Sequence, residues 1–176
     1  MKCFIIGLVL LLSTLSACEK ESAAMFRGGA ERNGTFDSSG PRDLNSLAWK
    51  FQTPGEISSS PVMADNLVFV GSWDRKVYCV DSDTGDKRWS FQTDGKVSSS
   101  PAIAGGKVVF GSWDGYIYAL DALSGELAWK RRTENEVVAS PLIHDGVVYI
   151  GGFDTYMRAF SLETGRELWR FGTDGE

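Results

Sequence analysis

The chain has 176 residues and a formal net charge of −5, from 18 Lys+Arg against 23 Asp+Glu. That balance argues against nucleic acid as a partner, and one histidine with three cysteines argues against most zinc, haem or iron–sulfur centres. Twenty glycines and 12% aromatic residues beside five prolines point to a turn-dense β protein. In chain order, Met1-Lys2 is a short basic start, and Phe4 to Leu15 is an uncharged, mostly apolar run. As a helix it would be about 18 Å long, short of a ~30 Å hydrocarbon core, so it is predicted to be the hydrophobic region of a signal peptide over residues 1–17. It ends Leu15-Ser16-Ala17-Cys18. Residues 18–45 are polar and Gly-containing and read as a tether; the folded part is predicted from residue 46 onward.

A repeat of forty residues organises that part. Trp49, Trp89, Trp129 and Trp169 are evenly spaced, as are Pro61, Pro101 and Pro141, and Gly85, Gly125 and Gly165. Ser58-Ser59-Ser60-Pro61 returns as Ser98-Ser99-Ser100-Pro101 and then as Ala139-Ser140-Pro141. Gly71-Ser72-Trp73-Asp74 returns as Gly111-Ser112-Trp113-Asp114 and as Gly151-Gly152-Phe153-Asp154. A period near 40 residues marks a four-stranded propeller blade. In the second repeat, strands are predicted at 98–104, 107–113, 116–121 and 126–133, with turns at Gly105-Gly106, Asp114-Gly115 and Ala122 to Gly125. Val108-Val109-Phe110 is apolar on both faces, as suits a strand covered by neighbours on each side.

The expected architecture is therefore all-β: three four-stranded antiparallel blades, residues 56–95, 96–135 and 136–175, with one extra outer strand at 48–53 around Trp49. Propellers close with about 4–8 blades. Three make an open arc, expected to be a fragment of a seven- or eight-bladed propeller and to expose an apolar end face prone to association.

Two resemblances follow from these motifs. Leu15-Ser16-Ala17-Cys18 resembles the bacterial lipobox, which implies cleavage before Cys18 and lipidation of its thiol and amino group. Several acyl chains would anchor the protein stably. Glu19 follows Cys18, where enterobacterial lipoproteins held at the inner membrane carry Asp, so the resemblance implies the outer membrane. The second is Ala119-x-Asp121-x-x-Ser124-Gly125-x-x-x-Trp129, which resembles the docking motif of pyrroloquinoline-quinone-type (PQQ-type) propeller repeats. Ala159 to Trp169 repeats it with Ser161 for Asp, and Cys79 to Trp89 with Cys for Ala. The resemblance covers residues 46–176, and Met25-Phe26-Arg27-Gly28 resembles the segment that precedes such repeats. It implies that each Trp packs over the small residue and against the turn glycine of the adjacent blade.

Residues recurring in every unit are most simply architectural. Trp49, Trp89, Trp129, Trp169, Gly85, Gly125, Gly165, Ala119 and Ala159 are read as blade-docking residues. Asp74, Asp114 and Asp154 open hairpin turns. Asp81 to Asp86 has a faint calcium-loop character that its counterpart Asp121 to Glu126 loses, and no metal or other cofactor is expected. Cys79 sits at a docking position and reads as a small buried hydrophobe, and His144 lies beside a surface turn. The rim strand departs from the repeat at Arg131-Arg132, where the other units read Phe-Gln or Phe-Gly. A solvated face accounts for it; an acidic partner is the alternative.

A lipid-anchored PQQ-type propeller with no visible chemistry resembles the BamB-like lipoproteins of outer-membrane barrel assembly. That resemblance implies a scaffold on the periplasmic side, contacting the membrane through its anchor and barrel-assembly proteins through its surface, without nucleic acid and without catalysis. The alternatives are an extracytoplasmic ligand-binding propeller and a PQQ- and calcium-dependent quinoprotein dehydrogenase. In the dehydrogenases adjacent cysteines and a Trp sandwich the quinone, and this sequence has no adjacent cysteines.

Overall fold

In a computed structural model the described residues are 47–173. Cys18, the signal segment and all of the tether lie outside them. The chain forms β1 (Val62–Ala64), β2 (Leu67–Ser72), β3 (Lys76–Asp81) and β4 (Lys87–Gln92) in a first sheet. A second holds β5 (Ala102–Ala104), β6 (Lys107–Gly111), β7 (Tyr116–Asp121) and β8 (Leu127–Arg132). The third holds β9 (Leu142–His144), β10 (Val147–Gly151), β11 (Tyr156–Ser161) and β12 (Glu167–Gly172). Each sheet is a four-stranded antiparallel meander. The fold is all-β, three propeller blades in an open arc, with neighbouring blades in contact through their first strands.

The turns explain the meander. Asp65-Asn66, Gly105-Gly106 and Asp145-Gly146 all hold positive φ, the backbone of tight hairpin turns whose twist matches the flanking strands. The Asp74, Asp114 and Asp154 carboxylates each accept the backbone N–H two residues on, at 3.1, 3.1 and 3.2 Å, holding the following turn.

Apart from one residue at each end of the fourth strand, strand limits differ from the sequence reading in three places. The first strand of the second blade is Ala102–Ala104 rather than 98–104. Pro101 lacks an N–H, and the serines before it bond to the neighbouring blade: Ser99 Oγ donates to Ala139 O at 2.8 Å, and Ser100 N to Ser140 Oγ at 3.0 Å. The second strand stops at Gly111, because Ser112 bonds to Tyr116 and turns the chain. Residues 48–53 run without strand pairing; the segment lies on the face of blade 1, with no sheet edge of its own to join.

The core lies between blades. Phe69, Val77, Val97, Phe110, Tyr118 and Leu120 fill the first junction. Val109, Ile117, Val137, Ile143, Val148 and Phe160 fill the second. A Cβ on Gly71 would stand 2.6 Å from Val97 Cγ1, and one on Gly111 would stand 2.5 Å from Val137 Cγ1. Those glycines let the valine of the next repeat approach the second strand. Fourth strands form the exposed rim, and β12 is exposed along its whole length.

Candidate functional site

The recurring residues meet at the blade junctions. The Trp89 ring lies on Gly125 of the next blade and its Nε1 donates to Ala122 O at 3.0 Å. Trp129 lies on Gly165 and donates to Leu162 O at 2.8 Å, and Trp49 lies on Gly85 and donates to Ser82 O at 2.7 Å. Gly85, Gly125 and Gly165 have φ of 77, 73 and 65°, and a Cβ there would come within 2.8 Å of an indole carbon. Backbone conformation and ring contact therefore both demand glycine. Cys79, Ala119 and Ala159 are fully buried and stand cross-strand from Trp89, Trp129 and Trp169. The register slips just after each of them, a β-bulge that recurs in all three blades. Trp129 is 6% exposed; Trp169 is 46% exposed and has only Tyr149 as a ring neighbour among the described residues.

The two junctions share that clamp and differ in the chemistry beside it. At the first, Tyr118 stacks on Phe110, meets Phe91 edge-on at 5.7 Å, and donates its hydroxyl to Asp114 at 2.8 Å. Asp114 also accepts the Asp94 N–H at 3.0 Å, tying the blades together. Burial, reinforced by the Asp114 carboxylate, pushes the Tyr118 hydroxyl well above the usual phenol range. The Phe51–Tyr78–Asp74 group on blade 1 repeats this arrangement.

At the second junction arginines stand at both aromatic positions. Arg158, at the place of Tyr118, forms a bidentate pair with Asp154 at 2.6 and 2.9 Å, and both side chains are buried. Burial alone would raise the Asp154 carboxyl, but hydrogen bonds from Arg158, Glu134 N–H and Tyr156 N–H hold it below the usual range. Arg131, at the place of Phe91, donates to Gly165 O at 2.7 Å, Thr164 O at 2.9 Å and Lys130 O at 2.8 Å. Its guanidinium is thus engaged with blade 3. Arg132 is exposed beside a shallow cavity of about 430 Å³ shared with Glu134, Arg158, Glu167 and Arg170. Comparing Tyr118 with Arg158 along the repeat would have located this second arginine.

At the same end of the blades, beside Asp74 and Asp114, the Trp73 and Trp113 indoles donate to Ser58 and Ser98 at 2.7 and 2.8 Å, with Lys96 3.9 Å above the Trp73 ring. The third repeat replaces indole and serine together, with Phe153 and Val138. Cys79 is buried and its thiol is pushed up to about 11, so it is a packing residue. Asp81 Oδ1 accepts the N–H groups of Asp83 and Thr84, and Oδ2 accepts from Arg88. The N–H bond from Thr84 leads in holding its carboxyl near 2, and the loop is a turn staple. His144 is exposed and 3.4 Å from Asp145. Among the described residues no three His, Cys, Asp or Glu side chains converge as a metal site, and Cys79 is the only cysteine.

No curated protein matches the chain. Among solved structures, BamB from Moraxella catarrhalis matches with 28% identity and a TM-score of 0.65, over 71% of this chain and 40% of that one. A quinohemoprotein alcohol dehydrogenase from Pseudomonas putida HK5 matches with 27% identity and a TM-score of 0.64, over 73% and 22%. A europium-containing methanol dehydrogenase has the same fold, with 22% identity and a TM-score of 0.65 over 74% and 27%. The chain thus spans less than half the length of each. A family described as outer membrane protein assembly factor BamB matches residues 42–115 and 74–176. With PQQ-type blades, their tryptophan–glycine clamps and this match over most of its length, the chain belongs to the BamB family of propeller repeats.

Proposed function

We propose that this protein is a lipid-anchored, non-catalytic propeller scaffold on the periplasmic side of the outer membrane that assists β-barrel protein assembly. Residues 1–17 would be the leader, Cys18 the lipidated residue, 18–45 the tether, and 46–176 the propeller part. The family match over residues 42–176 carries the reading. Engagement of the recurring residues in blade docking supports a scaffold role, and Leu15-Ser16-Ala17-Cys18 supports the anchor. Membrane fractions of cells fed labelled palmitate should yield a labelled band that Cys18→Ala abolishes. Pull-down should then recover outer-membrane assembly proteins. Because Arg131 is tied to blade 3, Arg132→Gln is the cleaner test of a charged contact on the rim: weaker recovery with an unchanged fold is expected. No lipid label, or no assembly protein recovered, would defeat the reading.

The match to a quinohemoprotein alcohol dehydrogenase at 27% identity favours a quinoprotein as the second reading. Shared fold alone does not carry that activity over. Dye-linked alcohol oxidation after reconstitution with the quinone and calcium would establish it and displace the scaffold.

A further inference from the structure

The two junctions also differ at the end where the β1–β2 and β5–β6 hairpins turn. At the first, an apolar cavity of about 290 Å³ is walled by Leu67, Phe69, Ile103 and Ala122, with Met63 and Leu123 at its mouth. The repeat itself shows why the corresponding place at the second junction is filled. Leu162 stands there where the first junction has Ala122, and its Cδ2 would lie 3.3 Å from a Cβ on Gly105, the counterpart of Asp65. Lys107 and Glu163, replacing Leu67 and Leu123, close it with an ion pair at 2.5 Å. One small residue and one missing ion pair therefore keep the first junction open.

What would occupy it follows from its walls and rim. Phe69 is fully buried and Ile103 nearly so, while Met63 and Leu123 are 64% and 75% exposed, so the apolar surface continues outward past the mouth. An occupant that covers both has an apolar group inside and more chain outside. The surroundings are acidic. Asp65 lines the cavity, and the turn over residues 121–126, which brings Ala122 and Leu123 to it, also carries Asp121 and Glu126, both exposed.

We infer that this cavity receives one large apolar side chain of a partner polypeptide whose neighbouring residues are basic. The inference rests on the scaffold reading for its choice of a polypeptide. The cavity is a knob-accepting pocket, and the acidic turns orient the segment by charge and speed its encounter.

The test uses the full chain with isotope-labelled Met, Ile, Leu and Ala methyl groups. It is titrated with a short peptide carrying phenylalanine between two lysines. Saturable shifts are expected on Met63, Ile103, Ala122 and Leu123. The same peptide with alanine for phenylalanine, or glutamates for lysines, should bind about tenfold more weakly. Ala122→Leu, which copies blade 3, should weaken binding about tenfold, and Asp65→Asn, which suits the positive-φ turn, by a smaller factor. Shifts elsewhere, equal binding of the alanine peptide, undiminished binding by Ala122→Leu, or no saturation would overturn the inference. If Ala122→Leu does not fold, shift mapping and Asp65→Asn still decide it. Toluene shifting the same methyls while neither peptide does would show a small-molecule pocket and overturn it too. No membrane or assembly protein takes part, so failure here is separable from failure of the palmitate and pull-down experiments.

Discussion

The first and second junctions use the same clamp, a tryptophan on the next blade's turn glycine, and fill the space beside it by opposite means. Between blades 1 and 2 the filling is aromatic, with the Tyr118 hydroxyl on Asp114. Between blades 2 and 3 it is ionic, with Arg158 buried on Asp154 and Arg131 donating to the Gly165 turn. The clamp is thus the constant part of the repeat, and the space beside it varies. Where Phe91 meets Tyr118 at the first junction, Arg131 and Arg158 stand at the second, each with its own acceptors in blade 3.

The largest effect that would break this comparison is loss of the buried cation. Arg158→Met leaves Asp154 buried without its partner and should destabilise by about 3–5 kcal/mol. Tyr118→Phe removes a single hydroxyl donor at the first junction and should cost about 1–2 kcal/mol. Urea unfolding followed by tryptophan fluorescence would measure both, and equal losses would show that the junctions are not energetically distinct. The concerted change Arg131→Phe with Arg158→Tyr and Asp154 kept should recover most of the loss, because it rebuilds the first junction's arrangement.

Substitution at the shared clamp comes next. Gly125→Ala and Gly165→Ala each force a Cβ to 2.6 Å from an indole carbon at positive φ, so each should cost about 2–4 kcal/mol and by similar amounts. Trp129→Ala should cost about 3–5 kcal/mol, whereas Trp169→Ala, at a half-exposed ring, should cost far less.

Response to pH should separate the junctions in opposite directions. The Asp154 carboxyl is lowered in the fold, so its contribution is fully present above the ordinary carboxylate value of about 4 and fades as pH falls through the folded value. Tyr118 is raised, so its contribution is fully present below the ordinary phenol value of about 10 and fades as pH rises beyond it. Stability of the double arginine replacement should therefore lose part of its acid dependence, and that of Tyr118→Phe part of its alkaline dependence. Melting temperatures across pH 3–11 would show it. The smallest expected effect is at the Lys107–Glu163 pair, whose glutamate is largely exposed. Lys107→Met should change stability by less than about 1 kcal/mol.

Much of this was legible in one chain because the repeat supplies three readings of each position. Gly105-Gly106 and its counterparts announced hairpins, and the evenly spaced tryptophans announced the docking places. The sequence reading carries the first strand of blade 2 back to Ser98, whereas the hydrogen-bonding groups of Ser99 and Ser100 serve the next blade instead of a strand ladder. Arg131 read as a free rim charge because its acceptors, the carbonyls of Thr164 and Gly165, lie 33 and 34 residues away. The cavity at the first junction was invisible because Ala122 is unremarkable until Leu162 is seen filling the same place.

Period, turn chemistry and apolar pattern are local properties, so they settle the blade, its four strands and the identity of its clamp residues before any contact is made. Which face a side chain meets is not local. A guanidinium is the same group in water or buried, and only the packing of blade 2 on blade 3 makes Arg158 a buried partner of Asp154 and Arg131 an inter-blade donor. The same packing leaves Arg132 at the surface. Likewise, whether a junction is full or open depends on the volumes that two separated residues bring to one place, and that is decided when the blades come together.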